Sequence, residues 1–224
     1  MDIPSGLITG SWLWISWVIY VPILLFALYT APWVRMRERD STNVYFGTIV
    51  VLLLFWNLKA GILPAQTFHF LGACMMTLMF GWSFAVLAMG ALVLFSTFSG
   101  NGGWDTYALN AFLLGGIPTT LAWLLLRISQ RRLPHNFFIY IFLNTFFAAV
   151  LGIILMGTVS YGLLWMSGAY SPAELTGGFL PLVVMLAFPE GTLNGIAITL
   201  MVVYRPEWVA TFYDKLYLYE NKDR

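Results

Sequence analysis

Apolar residues run along this chain in long stretches, broken by short clusters of charge, glycine and proline. A bilayer core takes about twenty apolar residues per helix, and the pattern predicts seven membrane helices. The first covers Leu7–Tyr29, carries Trp12, Trp14, Trp17 and Tyr20, and is closed by Pro32 and the charged run Arg35–Asp40. The second covers Asn43–Leu58 and ends near Lys59, after which Gly61, Pro64 and Gln66 predict a turn. The third, Thr67–Phe80, and the fourth, Ser83–Phe98, are parted only by Gly81 and Trp82, which predicts a tight hairpin. Gly100, Asn101, Gly102 and Gly103 then interrupt any helix across the loop Ser99–Asp105. The fifth helix, Tyr107–Leu126, is bent by Gly115, Gly116 and Pro118; the sixth, Asn136–Trp165, is long enough to tilt. Ser167–Gly178 is an outer loop and Phe179–Tyr204 the seventh helix. Residues 1–204 thus form one helical bundle. The tail, 205–224, mixes both charge signs with Trp208, Phe212, Tyr213, Tyr217 and Tyr219, a composition that predicts an amphipathic helix on the membrane surface.

Charge placement orients the bundle. Of the 11 Lys and Arg residues, all but Lys59 fall in three clusters: Arg35, Arg37 and Arg39; Arg127, Arg131 and Arg132; Arg205, Lys215, Lys222 and Arg224. Basic clusters stay on the cytoplasmic side. The expected topology therefore has the N-terminus outside, the C-terminus inside and an odd number of crossings in a bacterial-type inner membrane. Met1 and Asp2 then share a side with the loop before His69. Hydrophobic residues make up 60% of the chain and charged residues 9%, which excludes an ordinary soluble domain. The first thirty residues lack a basic leader and a small-residue cleavage site, so the first helix is expected to be retained. A single cysteine, Cys74, excludes an internal disulfide.

Few side chains here can carry chemistry. The two histidines are His69 and His135, the latter in a basic cytoplasmic loop. A neutral imidazole is the commonest metal ligand, but a lone histidine on an apolar helix is more often structural. Glu190 lies deep in the seventh helix between Pro189 and Gly191, where an ionisable group faces the bundle interior or a wet cavity. It reads either as a structural acid bonded to kinked backbone, Asn110 or Asn144, or as part of a substrate path with Asn110 and Asn194. Cys74, followed by Met75, Met76 and Met79, offers soft ligands suited to copper(I), or simply core packing. Lys59 reads as snorkelling to headgroups or pairing with Asp105 or Glu190. Small residues at four-residue spacing, Ala73-Thr77-Gly81 and Gly191-Gly195-Thr199, read as helix-packing stripes or a partner's docking face. There is no P-loop, no Cys-x-x-Cys and no Gly-x-Ser-x-Gly elbow, so the chain reads as no enzyme of those classes. The two histidines fall on opposite sides of the expected bundle, which excludes a bis-histidine haem.

Four segments together resemble the cobalt and nickel substrate-binding proteins of energy-coupling-factor transporters, the CbiM/NikM type. Met1-Asp-Ile-Pro-Ser-Gly-Leu7 resembles that family's Met-His-Ile-Pro-Asp-Gly-Phe start. Thr67-Phe-His-Phe-Leu-Gly-Ala73 is similar to its Thr-Ser-Gly-His-Leu-Leu-Gly-Gly segment, with His69 at the family's histidine. Phe98-Ser-Gly-Asn-Gly-Gly-Trp-Asp-Thr-Tyr-Ala-Leu-Asn110 resembles its glycine-rich loop, and Phe188-Pro-Glu-Gly-Thr-Leu-Asn-Gly195 its late Glu-Gly helix. The resemblance implies an N-terminus threaded into the bundle. There the terminal amine, the residue-2 amide nitrogen, a residue-2 imidazole and the later histidine would ligate the ion. Position 2 is Asp here, so a carboxylate replaces one nitrogen donor.

The expectation is a membrane-embedded substrate-binding subunit that takes up a transition-metal ion, cobalt or nickel and alternatively copper, with no organic cofactor. Met1, Asp2 and His69 are the expected ligands, and Cys74 and Met75 are the alternatives. The resemblance implies the lipid bilayer, a transmembrane coupling subunit and cytoplasmic ATPases as partners, and no nucleic acid. Two other readings stand beside it: an accessory membrane subunit without an ion site, and a cobalamin-type binder.

Overall fold

The computed structural model describes residues 2–58, 60–61, 64, 67–213 and 217, with residues 39, 60 and 61 described by backbone alone. Among the described residues seven helices follow one another: α1 Ser11–Thr30, α2 Arg39–Asn57, α3 Ala73–Phe80, α4 Trp82–Phe98, α5 Tyr107–Arg132, α6 Phe137–Met166 and α7 Pro172–Tyr204. By length and composition α1, α5, α6 and α7 can each cross a membrane. On α1 the side chains of Trp14, Val18, Leu25, Phe26 and Tyr29 are all exposed. A contiguous apolar face of that kind suits lipid and not water. The chain is an all-α membrane protein.

Several expected boundaries move, each for a local reason. α1 starts at Ser11 and not Leu7, because Gly10 takes φ 72 and breaks the run. Residues 2–10 instead enter the bundle as a non-helical strap, with Ile3 and Ile8 fully buried. α2 begins earlier than expected, at Arg39. The third span is the largest correction. Thr67–Phe68 forms a two-residue strand paired antiparallel to Ala60–Gly61, residues 69–72 are irregular, and helix begins only at Ala73. With 8 residues α3 is about 12 Å long, too short to cross a bilayer, and every residue in it is buried. It is a half-helix inside the bundle. Gly72 (φ 70) and Gly81 (φ 83) bound it with backbone that favours glycine, and a Cβ on Gly72 would run into Leu52.

α7 starts at Pro172, which shortens the expected outer loop. Ser171 and Glu174 form a reciprocal capping box with Pro172 in the first turn, a strong helix start that the two following glycines obscure in the sequence. Gly177 and Gly178 are carried in a wide π turn, Leu175–Phe179; similar turns occupy Ala111–Gly116 in α5 and Phe142–Phe147 in α6. α6 is started by Asn136, whose Oδ1 accepts the Phe138 amide at 2.7 Å. The Gly191 and Gly195 stripe packs within the bundle: a Cβ on Gly191 would sit 2.7 Å from Val150 and 3.0 Å from the Phe146 carbonyl of α6.

The two ends of the chain reach opposite ends of α3. Asp2 approaches His69, just before α3 begins. Past α7, the Ala210 and Thr211 amides donate to the Met79 and Leu78 carbonyls, at 2.9 and 3.3 Å, where α3 finishes. Basic residues collect at the tail end, where Arg35 and Arg205 line one cavity. Gln130, beside Arg131, donates to the Tyr217 hydroxyl there at 3.1 Å. From 205 to 213 the tail is a single 3₁₀ turn, Pro206–Trp208, followed by an irregular strap, and Tyr217 beyond it is helical. The rest of the expected amphipathic helix lies outside the described residues, as do Met1 and Lys59.

Candidate functional site

The strap of residues 2–10 is locked into the bundle by the glycine-rich loop and the start of α5. Asn110 grips Ile3 at both ends of the residue: its Oδ1 accepts the Ile3 amide at 2.9 Å, and its Nδ2 donates to the Ile3 carbonyl at 3.0 Å. Thr106 Oγ1 donates to the same carbonyl at 2.7 Å, and the Gly103 amide at 3.4 Å. Extended backbone without a β partner leaves buried amides and carbonyls to satisfy, and these side chains do so. Gly103 must be glycine for steric reasons. A Cβ there would lie 2.6 Å from the Ser5 nitrogen and 2.7 Å from its Cα. The glycine loop therefore does more than break a helix: it makes room for the strap.

This clamp delivers Asp2 to His69. Asp2 is 3% exposed, and its Oδ2 lies 3.7 Å from His69 Nε2, while its Oδ1 accepts from Ser96 Oγ at 3.3 Å. His69, also 3% exposed, sits in the irregular segment before α3 and not on the helix, as the sequence pattern had predicted. Its ring lies 4.3 Å, centroid to centroid, from that of Trp56, whose Nε1 donates to the Leu71 carbonyl at 3.3 Å. His69 Nδ1 lies 3.4 Å from the Phe70 carbonyl. With the proton on Nδ1 the ring donates there and Nε2 can ligate a cation shared with Asp2; with a proton on Nε2 that nitrogen faces the Asp2 carboxylate directly. A backbone carbonyl on one ring nitrogen is how ligating histidines are commonly oriented.

A second anchor comes from α7. The Leu71 and Gly72 amides donate to the two oxygens of Glu190, each at 2.8 Å, and Asn194 Nδ2 donates to Glu190 Oε1 at 3.0 Å. Asn194 Oδ1 in turn accepts the Met75 amide at 2.8 Å. Glu190 and Asn194, four residues apart on one face of α7, thus satisfy the unpaired amides where α3 starts, where acceptors and negative charge are favoured. These are not the partners the sequence suggested for Glu190, the kinked α7 backbone, Asn110 or Asn144: the carboxylate reaches Asn194 and the amides ahead of α3. Asn110 serves the strap instead.

Cys74 faces elsewhere. Its Sγ donates to the carbonyls of Asn144 and Thr145, both at 3.5 Å, on the wide turn of α6. Met75 gives its amide to Asn194, and its side chain lines an apolar groove between α2 and α7. Among the described residues no cluster of three or more His, Cys, Asp and Glu side chains forms. Asp2 and His69 are the carboxylate and imidazole that the fold brings together. Sequence reasoning overlooked Ser96, Thr106 and Trp56. Each is an ordinary residue of its helix or loop, and only the path of the strap shows its role.

The family described as the cobalt uptake substrate-specific transmembrane region (CbiM) matches residues 2–208. The chain belongs to that family. The match takes in Asp2, His69 and every described residue that clamps them. A solved structure described as "Crystal Structure of an Truncated Transition metal Transporter" has the same fold. It aligns with a TM-score of 0.67 over 92% of this chain and 99% of that one, at 15% identity. No curated protein matches the chain in sequence.

Proposed function

We propose that this CbiM-family chain is the subunit that captures a cobalt or nickel ion from the outer side of the membrane for uptake, holding it with Asp2, His69 and the amino end at Met1. The observation that carries this is the approach of Asp2 Oδ2 to His69 Nε2 at 3.7 Å in a buried setting. That separation is too long for a direct hydrogen bond. It suits two donors of one ion: with bonds of about 2.1 Å, donor atoms at right angles are roughly 3.0 Å apart and opposed donors roughly 4.2 Å. Two side-chain donors do not complete a coordination sphere, and the family resemblance implies that the chain's start supplies more. Met1 lies outside the described residues, and its part in the site rests on the resemblance, which implies the terminal amine as a further donor.

The donor chemistry favours cobalt or nickel. An imidazole and an amine suit late first-row ions better than magnesium or calcium, and copper(I) would want thiolate or thioether ligands. Cys74, the one thiol in the chain, is engaged with carbonyls of α6. The basic clusters at the tail end support an outward-facing N-terminus and a cytoplasmic tail. Because the sequence has no nucleotide-binding loop, uptake on this reading draws on separate ATPases through a coupling subunit in the membrane.

Metal analysis of the detergent-purified full chain after incubation with cobalt or nickel tests the proposal. One equivalent of ion in the unaltered chain, lost in His69→Ala, is expected. No stoichiometric metal in the unaltered chain would favour an accessory subunit, and corrin absorption in the purified protein would favour a cobalamin binder.

A further inference from the structure

An apolar groove of about 620 Å³ runs between α2 and α7 with α3 as its floor. Val51, Phe55, Ile196 and Leu200 line its length, and all four are exposed on the outside of the bundle. At one end it opens, through the shared residues Asn43, Val44, Met79 and Trp208, into a cavity of about 570 Å³. That cavity is different in kind: Arg35 and Arg205 line it together with Glu38, Asp40 and Glu207. Arg205 and Glu207 form an exposed pair 3.5 Å apart, within reach of a ligand's charged groups.

We propose that the groove and its charged mouth bind one zwitterionic glycerophospholipid of the phosphatidylethanolamine class, drawn from the leaflet on the basic-cluster side. Two features select this occupant. The first is length. From Asn43 to Phe55 the groove follows α2 for about 18 Å, close to the roughly 15 Å of hydrocarbon in one leaflet. A crossing helix from another protein would need a groove about twice as deep. The second is charge. The mouth offers guanidinium groups to a phosphate and carboxylates to an ammonium. An anionic lipid would bring no ammonium to the same three carboxylates, of which Glu207 already pairs with Arg205. Arginine suits phosphate because its planar donors bind two oxygens at once.

Native mass spectrometry of the delipidated full chain in detergent tests this, with titration of palmitoyl-oleoyl phosphatidylethanolamine and, separately, the matching phosphatidylglycerol. One retained phosphatidylethanolamine is expected, with phosphatidylglycerol bound more weakly. Gly47→Trp should weaken binding about tenfold by filling the groove, since a Cβ at Gly47 meets nothing within 4 Å. Arg35→Ala combined with Arg205→Ala should do so by a similar factor without altering the groove. Trp14→Ala, on the exposed face of α1, should change nothing. Equal retention of both lipids, or binding indifferent to the Gly47 and arginine variants, would overturn the proposal. So would photocrosslinking from position 51 in native membranes that captures a polypeptide instead of lipid.

Discussion

Asn110 Oδ1 accepts the Ile3 amide at 2.9 Å, and Asn110 Nδ2 donates to the Ile3 carbonyl at 3.0 Å, so one side chain fixes one residue of the strap in both directions. Replacing it with aspartate keeps the acceptor and turns the donor into a second acceptor facing the Ile3 carbonyl. Asn110→Asp should therefore free the strap while α1–α7 stay folded. The expected cost is about 1–3 kcal/mol of stability, the usual penalty for a buried polar group left unsatisfied. Cobalt affinity should fall by about tenfold or more, the equivalent of roughly 1.4 kcal/mol. Thermal unfolding and isothermal titration with cobalt measure the two effects on one preparation.

Gly103→Ala attacks the same strap by steric means. The added methyl would meet the Asp105 carboxylate, whose side chain can turn, and would lie 2.6 Å from the Ser5 nitrogen, which is backbone and cannot rotate away. The strap must shift, carrying Asp2 from His69. Metal occupancy should be lost while helical circular dichroism is unchanged. A Gly100→Ala control separates crowding from general loop strain: Gly100 (φ 78) is open, with nothing within 4 Å of its Cβ position.

Glu190→Gln tests whether the buried acid positions His69. One oxygen becomes an amide nitrogen that cannot accept from Leu71 or Gly72, leaving a buried N–H unsatisfied at about 1–3 kcal/mol. Unfolding temperature should fall and metal affinity with it, because the segment carrying His69 loses one of its two ties to α7. Asn194→Ala should act in the same direction through the Met75 amide. If instead Glu190 lies in the ion's path, Glu190→Gln should slow uptake in vesicles while leaving equilibrium affinity and stability unchanged.

Asp2→His replaces the carboxylate by the imidazole that the resemblance to the CbiM/NikM type implies at this position. More nitrogen donors favour nickel, so nickel affinity should rise relative to that for manganese, an oxygen-preferring ion. Competition titration reads the ratio. An unchanged ratio would show that residue 2 does not contact the ion.

The order and number of helices were legible because each long apolar run stands between charge or glycine clusters that a bilayer helix cannot absorb. What stayed hidden was how α3 begins. Thr67–Phe80 reads as one apolar run, yet its first six residues are strand and irregular backbone, because the amides of Leu71 and Gly72 find Glu190 across the bundle. No local pattern encodes a partner more than a hundred residues away. The acid itself was conspicuous, since Glu190 had no business in lipid without partners. Asn110 was visible as a buried polar residue, but not as the clamp on Ile3. Likewise Gly103 read as a helix breaker, and its steric role appears only when Ser5 passes over it.

On the proposed function, the chain's first residues and His69 share one ion. The most direct measurement is the cobalt content of purified protein whose amino end has been extended by a single glycine before Met1, compared with the unextended chain. The extension leaves Asp2, His69 and every clamping side chain in place, but moves the terminal amine. One equivalent of cobalt in the unextended chain and none in the extended one is the predicted result. Full occupancy in both would contradict it, because the ion would then be held without the amino end.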